Sequence, residues 1–212
     1  MERLSELGFH QINLADDLFT ANAEHCLAVC AEILNRGLTV QWTSFARVDT
    51  VNRQVLETMR RAGCTTISFG VESGSPDMLR RIRKGITLEQ VEHAMQLCKA
   101  CDIEPHASFI LGLPGETQET LRQTLAFGQR LNAMGVNHGF HVLAPFPGTD
   151  IREHIDRYDL QILSNDWRKY NANRAIVRTA GVAPDAMDAI VIDSERQFNQ
   201  WLSDIGHRRE QG

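Results

Sequence analysis

The chain has 212 residues, 42% hydrophobic and 23% charged, with a formal net charge of −5. That is enough chain for one full hydrophobic core with a terminal appendage, and the acidic balance leaves no electrostatic footprint for nucleic acid. No stretch approaches the roughly 20 apolar residues of a membrane span, and the opening Met1-Glu2-Arg3-Leu4-Ser5-Glu6 lacks the basic flank and apolar run of a secretory signal, so a cytoplasmic protein is expected.

Phe9 to Ala15 reads as a first strand, followed by a helix from Ala23 to Arg36 that Gly37 can terminate. Val40 to Arg47 is the second strand. Asn52 can cap the next helix, whose Val55, Leu56 and Met59 form an apolar stripe before Gly63. Thr65 to Val71 is the third strand; Ser75-Pro76 then places a capping hydroxyl before a proline at the first helical position. Thr87 with Gln90 makes a capping box for a helix running to about Cys101. His106 to Leu113 is the fourth strand, Thr117 caps a helix with Leu121, Leu125 and Leu131 turned inward, and Val136 to Ala144 is the fifth. Strand and helix alternate throughout, the pattern of repeated βα units around a parallel sheet. After Thr149 the pattern changes. Residues 1–149 are read as the βα part and 150–212 as a helical extension, in which Met187, Val191, Phe198, Trp201, Leu202 and Ile205 pack a helix opened by Pro184 onto the sheet, with a polar tail from Gly206.

Alternate side chains of a strand point to opposite faces. In the third strand Ile67, Phe69 and Val71 share one side, suited to helix packing, and Ser68, Gly70 and Glu72 the other. Ala107, Phe109, Leu111 and Leu113 likewise oppose His106, Ser108, Ile110 and Gly112, and Gln41, Thr43 and Arg47 oppose Val40, Trp42 and Ala46. Three strands end in motifs suited to a small polar ligand: Gly70-Val71-Glu72-Ser73-Gly74, Gly112-Leu113-Pro114-Gly115-Glu116-Thr117 and Pro145-Phe146-Pro147-Gly148-Thr149. Parallel α/β folds bind ligands at this C-terminal edge of the strands. Arg47 and Glu72 there suit a zwitterion; the alternative is that they pair with each other.

Together these residues resemble the radical S-adenosylmethionine (SAM) superfamily, particularly the branch that often carries a cobalamin-binding domain. The resemblance covers about residues 8–149, through Asp16-Asp17-Leu18-Phe19-Thr20, Arg47, Phe69 to Gly74, Lys84-Gly85, Gly112 to Thr117 and Pro147-Gly148-Thr149, and continues more weakly through Asp166-Trp167 and Tyr170. It implies an α/β fold, a partial (β/α)6 TIM-like barrel binding SAM across its strand ends and missing its first βα unit. By that resemblance Asp16 or Asp17 approaches the methionine ammonium, Arg47 its carboxylate, Glu72 and Ser73 the ribose or amino group, and Ile110 and Gly112 the adenine. Ser108 stands where the family's adenine-region pattern has its first glycine, and Glu116 falls one position late.

The family's Cys-x3-Cys-x2-Cys, whose thiolates hold the iron-sulfur cluster that cleaves SAM to a 5'-deoxyadenosyl radical, is absent from these residues. Cys26 and Cys30 reproduce the first interval and Cys98 and Cys101 the second, but both pairs lie within helices, and Cys26, Cys30 and Ile33 share an apolar face, so core packing of reduced thiols is expected, Cys64 included. His138 and His141, three apart on a strand, point to opposite faces and make no metal pair. The chain is therefore expected to be a fragment of a radical SAM enzyme supporting radical chemistry or methyl transfer, inactive alone, with the cluster, and cobalamin where used, belonging to the longer protein. The alternatives are a non-catalytic SAM-binding or scaffold module without a cluster, and a barrel lyase using Glu72 and a lysine, for which Lys84 has no evident route inward. A small-molecule cofactor is the expected partner, and the open barrel edge at Phe9 to Ala15 is a place for self-association.

Overall fold

The computed structural model describes the backbone of residues 1–210, with side chains in the last helix as far as Gln197 and at Asn199. In chain order the elements are α1 (Glu2–Glu6), β1 (Gln11–Asn13), α2 (Ala23–Asn35), β2 (Gln41–Ala46), α3 (Arg53–Arg61), β3 (Cys64–Glu72), α4 (Pro76–Arg81), α5 (Leu88–Ala100), β4 (Glu104–Leu111), α6 (Gln118–Ala133), β5 (Asn137–Val142), α7 (Asp150–Glu153), β6 (Leu160–Ile162), β7 (Val177–Thr179) and α8 (Pro184–Glu210). All five expected strands are present. They form one sheet in the order β1-β2-β3-β4-β5, with β1, β2 and β3 paired in parallel. A helix separates each consecutive pair, as a crossover between parallel strands requires.

Local sequence accounts for most element ends. Asn52 Oδ1 accepts from the Val55 N–H at 3.0 Å, and the Thr87/Gln90 capping box closes with both of its hydrogen bonds. Thr117 Oγ1 accepts from the Thr120 N–H at 3.2 Å. Ser75 departs from expectation: it stands at the cap position of α4, but its hydroxyl makes no cap bond and is buried without a partner, while its own N–H donates to Ser73 Oγ. The extension also differs, because β6 and β7 form an antiparallel pair within it. Three residues are too few to display the alternation by which strands are recognised.

The chain divides into two compact units that interleave in sequence. The first comprises Met1–Val71, Ile86–Ala107 and Met134–Val136. There α2 packs on α3 over a core containing Trp42, Leu56, Met59 and Ile67. The indole N–H of Trp42 donates to the Ala62 carbonyl at 2.7 Å, so even this buried polar group is satisfied. One extra β3 residue sits opposite the Trp42/Thr43 step, where the register shifts from Cys64 to Thr66; this bulge leaves both Thr65 and Thr66 half-buried before regular alternation resumes.

The second unit comprises Glu72–Gly85, Ser108–Ala133 and the chain from Asn137 onward. Its core is aromatic: Phe109 stacks on Phe140 with centroids 5.4 Å apart and meets Phe127 and His138 edge-on. Helix α8 packs against β5, with Met187 and Val191 buried as the sequence suggested. The side chains of Phe198, Trp201, Leu202 and Ile205 lie outside the described residues, and α8 extends to Glu210, past the start of the expected tail.

Candidate functional site

Strand parity sorts the site residues much as expected. Ile67, Phe69 and Val71 are fully buried, whereas Ser68, Gly70 and Glu72 are half-buried. Ala107, Phe109 and Leu111 are buried and His106, Ser108 and Ile110 half-buried. In β2 the face shared by Gln41, Thr43 and Arg47 also carries Phe45, which is 43% exposed, and the opposite face buries Ser44 with Trp42 and Ala46.

In the first unit, Arg47 directly follows β2. Its guanidinium grips Asp49 in a fork, Nε to Oδ1 at 2.9 Å and Nη2 to Oδ2 at 2.8 Å, and remains about one-third exposed. Asp16 and Asp17 are exposed beyond β1, where Asp16 Oδ1 accepts from the Leu18 N–H at 3.0 Å and so shapes the turn. The adjoining Thr20 is buried and shares a 2.6 Å hydrogen bond with Thr50.

In the second unit, Glu72 has a left-handed backbone with φ 70°, a conformation a side-chain-bearing residue adopts at a cost of order 1 kcal/mol. Lys84 Nζ donates to Glu72 Oε1 at 2.7 Å; both side chains are mostly buried, and Glu72 Oε2 has no protein partner among the described residues. Ser73, by contrast, is fully enclosed. Its hydroxyl bonds Thr124 Oγ1 at 3.0 Å and accepts from the Ser75 N–H, while Thr124 also accepts from the Gly74 N–H. Gly74 lies so close to α6 that a Cβ there would stand 2.5 Å from Phe127 Cβ and 2.8 Å from Thr124 Cα. Ser73 and Gly74 therefore dock the turn after β3 onto α6.

The turn after β4 is organised by Glu116. Its Oε2 accepts from the Gly112 N–H at 2.7 Å, in a carboxyl only 2% exposed whose Oε1 has no partner. Burial pushes this carboxyl up to about 7, partly countered by the Gly112 hydrogen bond. The cover comes from the extension: a Cβ on Gly181 would meet the Glu116 carbonyl oxygen at 2.0 Å, and one on Gly112 would meet Met187 Sδ at 2.9 Å. Gly112, expected beside an adenine, is thus packed beneath Met187 and contributes backbone only, whereas Ile110 stays half-buried on the open face. Neither the role of Glu116 nor this cover was legible in the sequence; the buried acid four residues beyond Gly112 was the one available signal.

All five cysteines are core residues. Cys26, Cys30, Cys64 and Cys98 have no exposed surface and Cys101 has 7%. Burial pushes the Cys64 and Cys98 thiols up to about 12, and a hydrogen bond to Cys30 followed by burial keeps Cys26 protonated, the same bond lowering Cys30 alone. Thiolate ligands need the opposite environment, and among the described residues no group of three or more Cys, His, Asp or Glu can hold a metal. The residues present therefore do not fit an iron-sulfur cluster. His138 lies against Phe109 and Phe140, with burial lowering its pKa, while His141 is exposed on the other face.

Comparison with known proteins identifies the class. The profile of the radical SAM superfamily matches residues 1–128, and the chain belongs to that superfamily, which uses SAM and a 4Fe-4S cluster. An uncharacterized methyltransferase of Pyrococcus horikoshii is 36% identical over 165 residues, covering 78% of this chain and 35% of the relative. The anaerobic magnesium-protoporphyrin IX monomethyl ester cyclase of Rubrivivax gelatinosus is 32% identical, covering 82% and 30% respectively. The chain spans about a third of the length of the curated relatives it matches. Among solved structures, the radical SAM methyltransferase TsrM of Kitasatospora setae, with cobalamin and a [4Fe-4S] cluster bound, superposes with a TM-score of 0.68 at 23% identity over 78% of this chain and 33% of TsrM. That likeness establishes the fold, an α/β partial barrel of the radical SAM type. Among the described residues no helix is long and apolar enough to cross a membrane.

Proposed function

We propose that this chain is the SAM-holding part of a radical SAM methyltransferase, with the cluster thiolates supplied by sequence outside residues 1–212. The observation that carries the SAM assignment is Glu72: a strained, mostly buried carboxylate at a strand end, fixed by Lys84 through one oxygen and open at the other. The donor chemistry suits SAM. Arg47, whose fork is held by Asp49, would exchange that carboxylate for the methionine carboxylate, Asp16 or Asp17 presents an acid to its ammonium, and Glu72 Oε2 an acceptor to ribose hydroxyls or the adenine amino group. Ile110 supplies apolar surface for the adenine. Ser73 and Gly112 act from behind by fixing the turns that carry these groups, which modifies the direct contacts the family resemblance implies for them.

A cluster held by the longer protein would supply an electron to SAM, and cobalamin, which TsrM binds, would supply a methyl carrier. In this reading the chain's own part is to bind and orient SAM. Methyl transfer is favoured over other outcomes because the methyltransferase relative from Pyrococcus matches 78% of this chain. Equilibrium dialysis of SAM against the chain tests the reading. Saturable binding that adenosine and methionine compete only weakly is expected, and no binding at millimolar SAM would refute it.

A further inference from the structure

The loop after β5 and the segment that follows it build a second constellation within the second unit, unused by the reading above. Phe146, in the Pro145 to Thr149 loop, and Trp167 both lean on Tyr170, with ring centroids 5.9 and 4.6 Å away. Tyr170 is 7% exposed and forms the floor, whereas Phe146 and Trp167 are 48% and 52% exposed. Leu163, 40% exposed, lies in the same segment, so large apolar surface is concentrated along residues 146–170. Phe9 and Phe45 are exposed too, but among the described residues only here do two exposed aromatic rings lean on one buried ring, and such clustered surface marks a recognition site.

Arg152 gives this surface its chemistry. Thr149 caps α7 and so sets the helix that carries it, and the guanidinium lies 5.4 Å from the Trp167 ring centroid and 6.0 Å from that of Tyr170. Its hydrogen bonds run to neutral groups, Nη1 to Tyr170 Oη at 2.9 Å and Nη2 to Asn165 Oδ1 at 3.1 Å. Among the described residues no carboxylate pairs with it. The neighbouring acid, Asp166, is already forked by Arg168, at 2.9 Å through both Nε and Nη2. Arg152 is therefore a fixed positive charge, held by neutral acceptors beside the open ring of Trp167 and the buried ring of Tyr170.

We propose that Phe146, Arg152 and Trp167 form a binding subsite for a planar, conjugated organic acid, the rings stacking on its flat body and Arg152 receiving its carboxylate. An aliphatic acid would leave the rings unused, and a neutral aromatic would leave the cation uncompensated. The subsite lies beyond the C-terminal end of β5, the edge at which βα sheets present ligand-binding loops. Combined with the function proposed above, its occupant is the methyl acceptor, and only that last assignment rests on the earlier reading.

Pyrenebutyrate and its uncharged analogue pyrenebutanol, titrated into the full chain without SAM and followed by pyrene anisotropy, test the subsite. The acid should bind about tenfold more tightly than the alcohol, the difference one charge-assisted contact makes. Arg152→Gln should abolish that preference, and Trp167→Leu, at a half-exposed position that tolerates substitution, should weaken both probes about fivefold or more. Equal affinity for acid and alcohol in the wild-type chain would overturn the proposal, as would unchanged binding in Trp167→Leu, which would place the probe on other apolar surface. Because SAM is absent, failure here leaves the SAM assignment standing, and failure of SAM to bind leaves this one standing.

Discussion

Replacing Glu116 with glutamine should change stability in opposite directions at acid and at alkaline pH. In the folded chain this carboxyl is pushed up to about 7 by burial, against an ordinary 4.5. The fold keeps its proton where the unfolded chain has released it, so the contribution is fully present below pH 4.5 and is lost as pH rises through 7. At about 1.4 kcal/mol for each tenfold change in proton affinity, the ionised group costs the fold about 3 kcal/mol at alkaline pH. Glutamine keeps an acceptor for the Gly112 N–H but places an amide where Glu116 Oε1 has no partner, a cost of about 1 kcal/mol at every pH. The variant should therefore be less stable than wild type by about 1 kcal/mol at about pH 3.5, below the unfolded carboxyl's 4.5, and more stable by about 2 kcal/mol at about pH 8.5. Urea titrations followed by far-ultraviolet circular dichroism at the two pH values measure both differences. An equal loss at both would refute the assignment of Glu116 as a carboxyl protonated by burial.

Other consequences follow from the packing. Thr124→Val removes the partner of Ser73 Oγ and of the Gly74 N–H and should cost about 2 kcal/mol in urea titration; a loss below about 0.5 kcal/mol would show that the turn after β3 does not depend on α6. Thr87→Ala opens the capping box of α5 and should cost about 1 kcal/mol, measured the same way. Thiol-specific reagents should label none of the five cysteines quickly in the native chain and all of them in denaturant, and rapid native labelling would contradict their burial. Anaerobic incubation with iron and sulfide should leave no stable cluster on the chain and no SAM cleavage; stoichiometric iron and sulfide with 5'-deoxyadenosine would show that these cysteines can serve after all.

The five strands and their helices were legible because each carries a local signal: side-chain alternation in β3 and β4, and hydroxyl or amide caps at Asn52, Thr87 and Thr117. The family was legible because its motifs fall at strand ends in a fixed order, which the match to residues 1–128 supports. What escaped was tertiary. That Ser73 would be enclosed by Thr124, Gly112 covered by Met187, and Glu116 buried beneath Gly181 all depends on partners 50 to 75 residues away in the chain. The β6–β7 pair was missed because its strands are too short to show a period. The left-handed backbone of Glu72 was invisible for a different reason: strain at a non-glycine residue is imposed by surroundings, and nothing in its own side chain announces it.

The central claim is that Arg47 and Glu72 hold SAM. Its most direct test is the dissociation constant of SAM for the wild-type chain, Arg47→Ala and Glu72→Ala, measured by equilibrium dialysis with circular dichroism to confirm folding. Loss of a charge-assisted contact predicts affinity about tenfold weaker in each variant, whereas unchanged affinity in both would contradict the account.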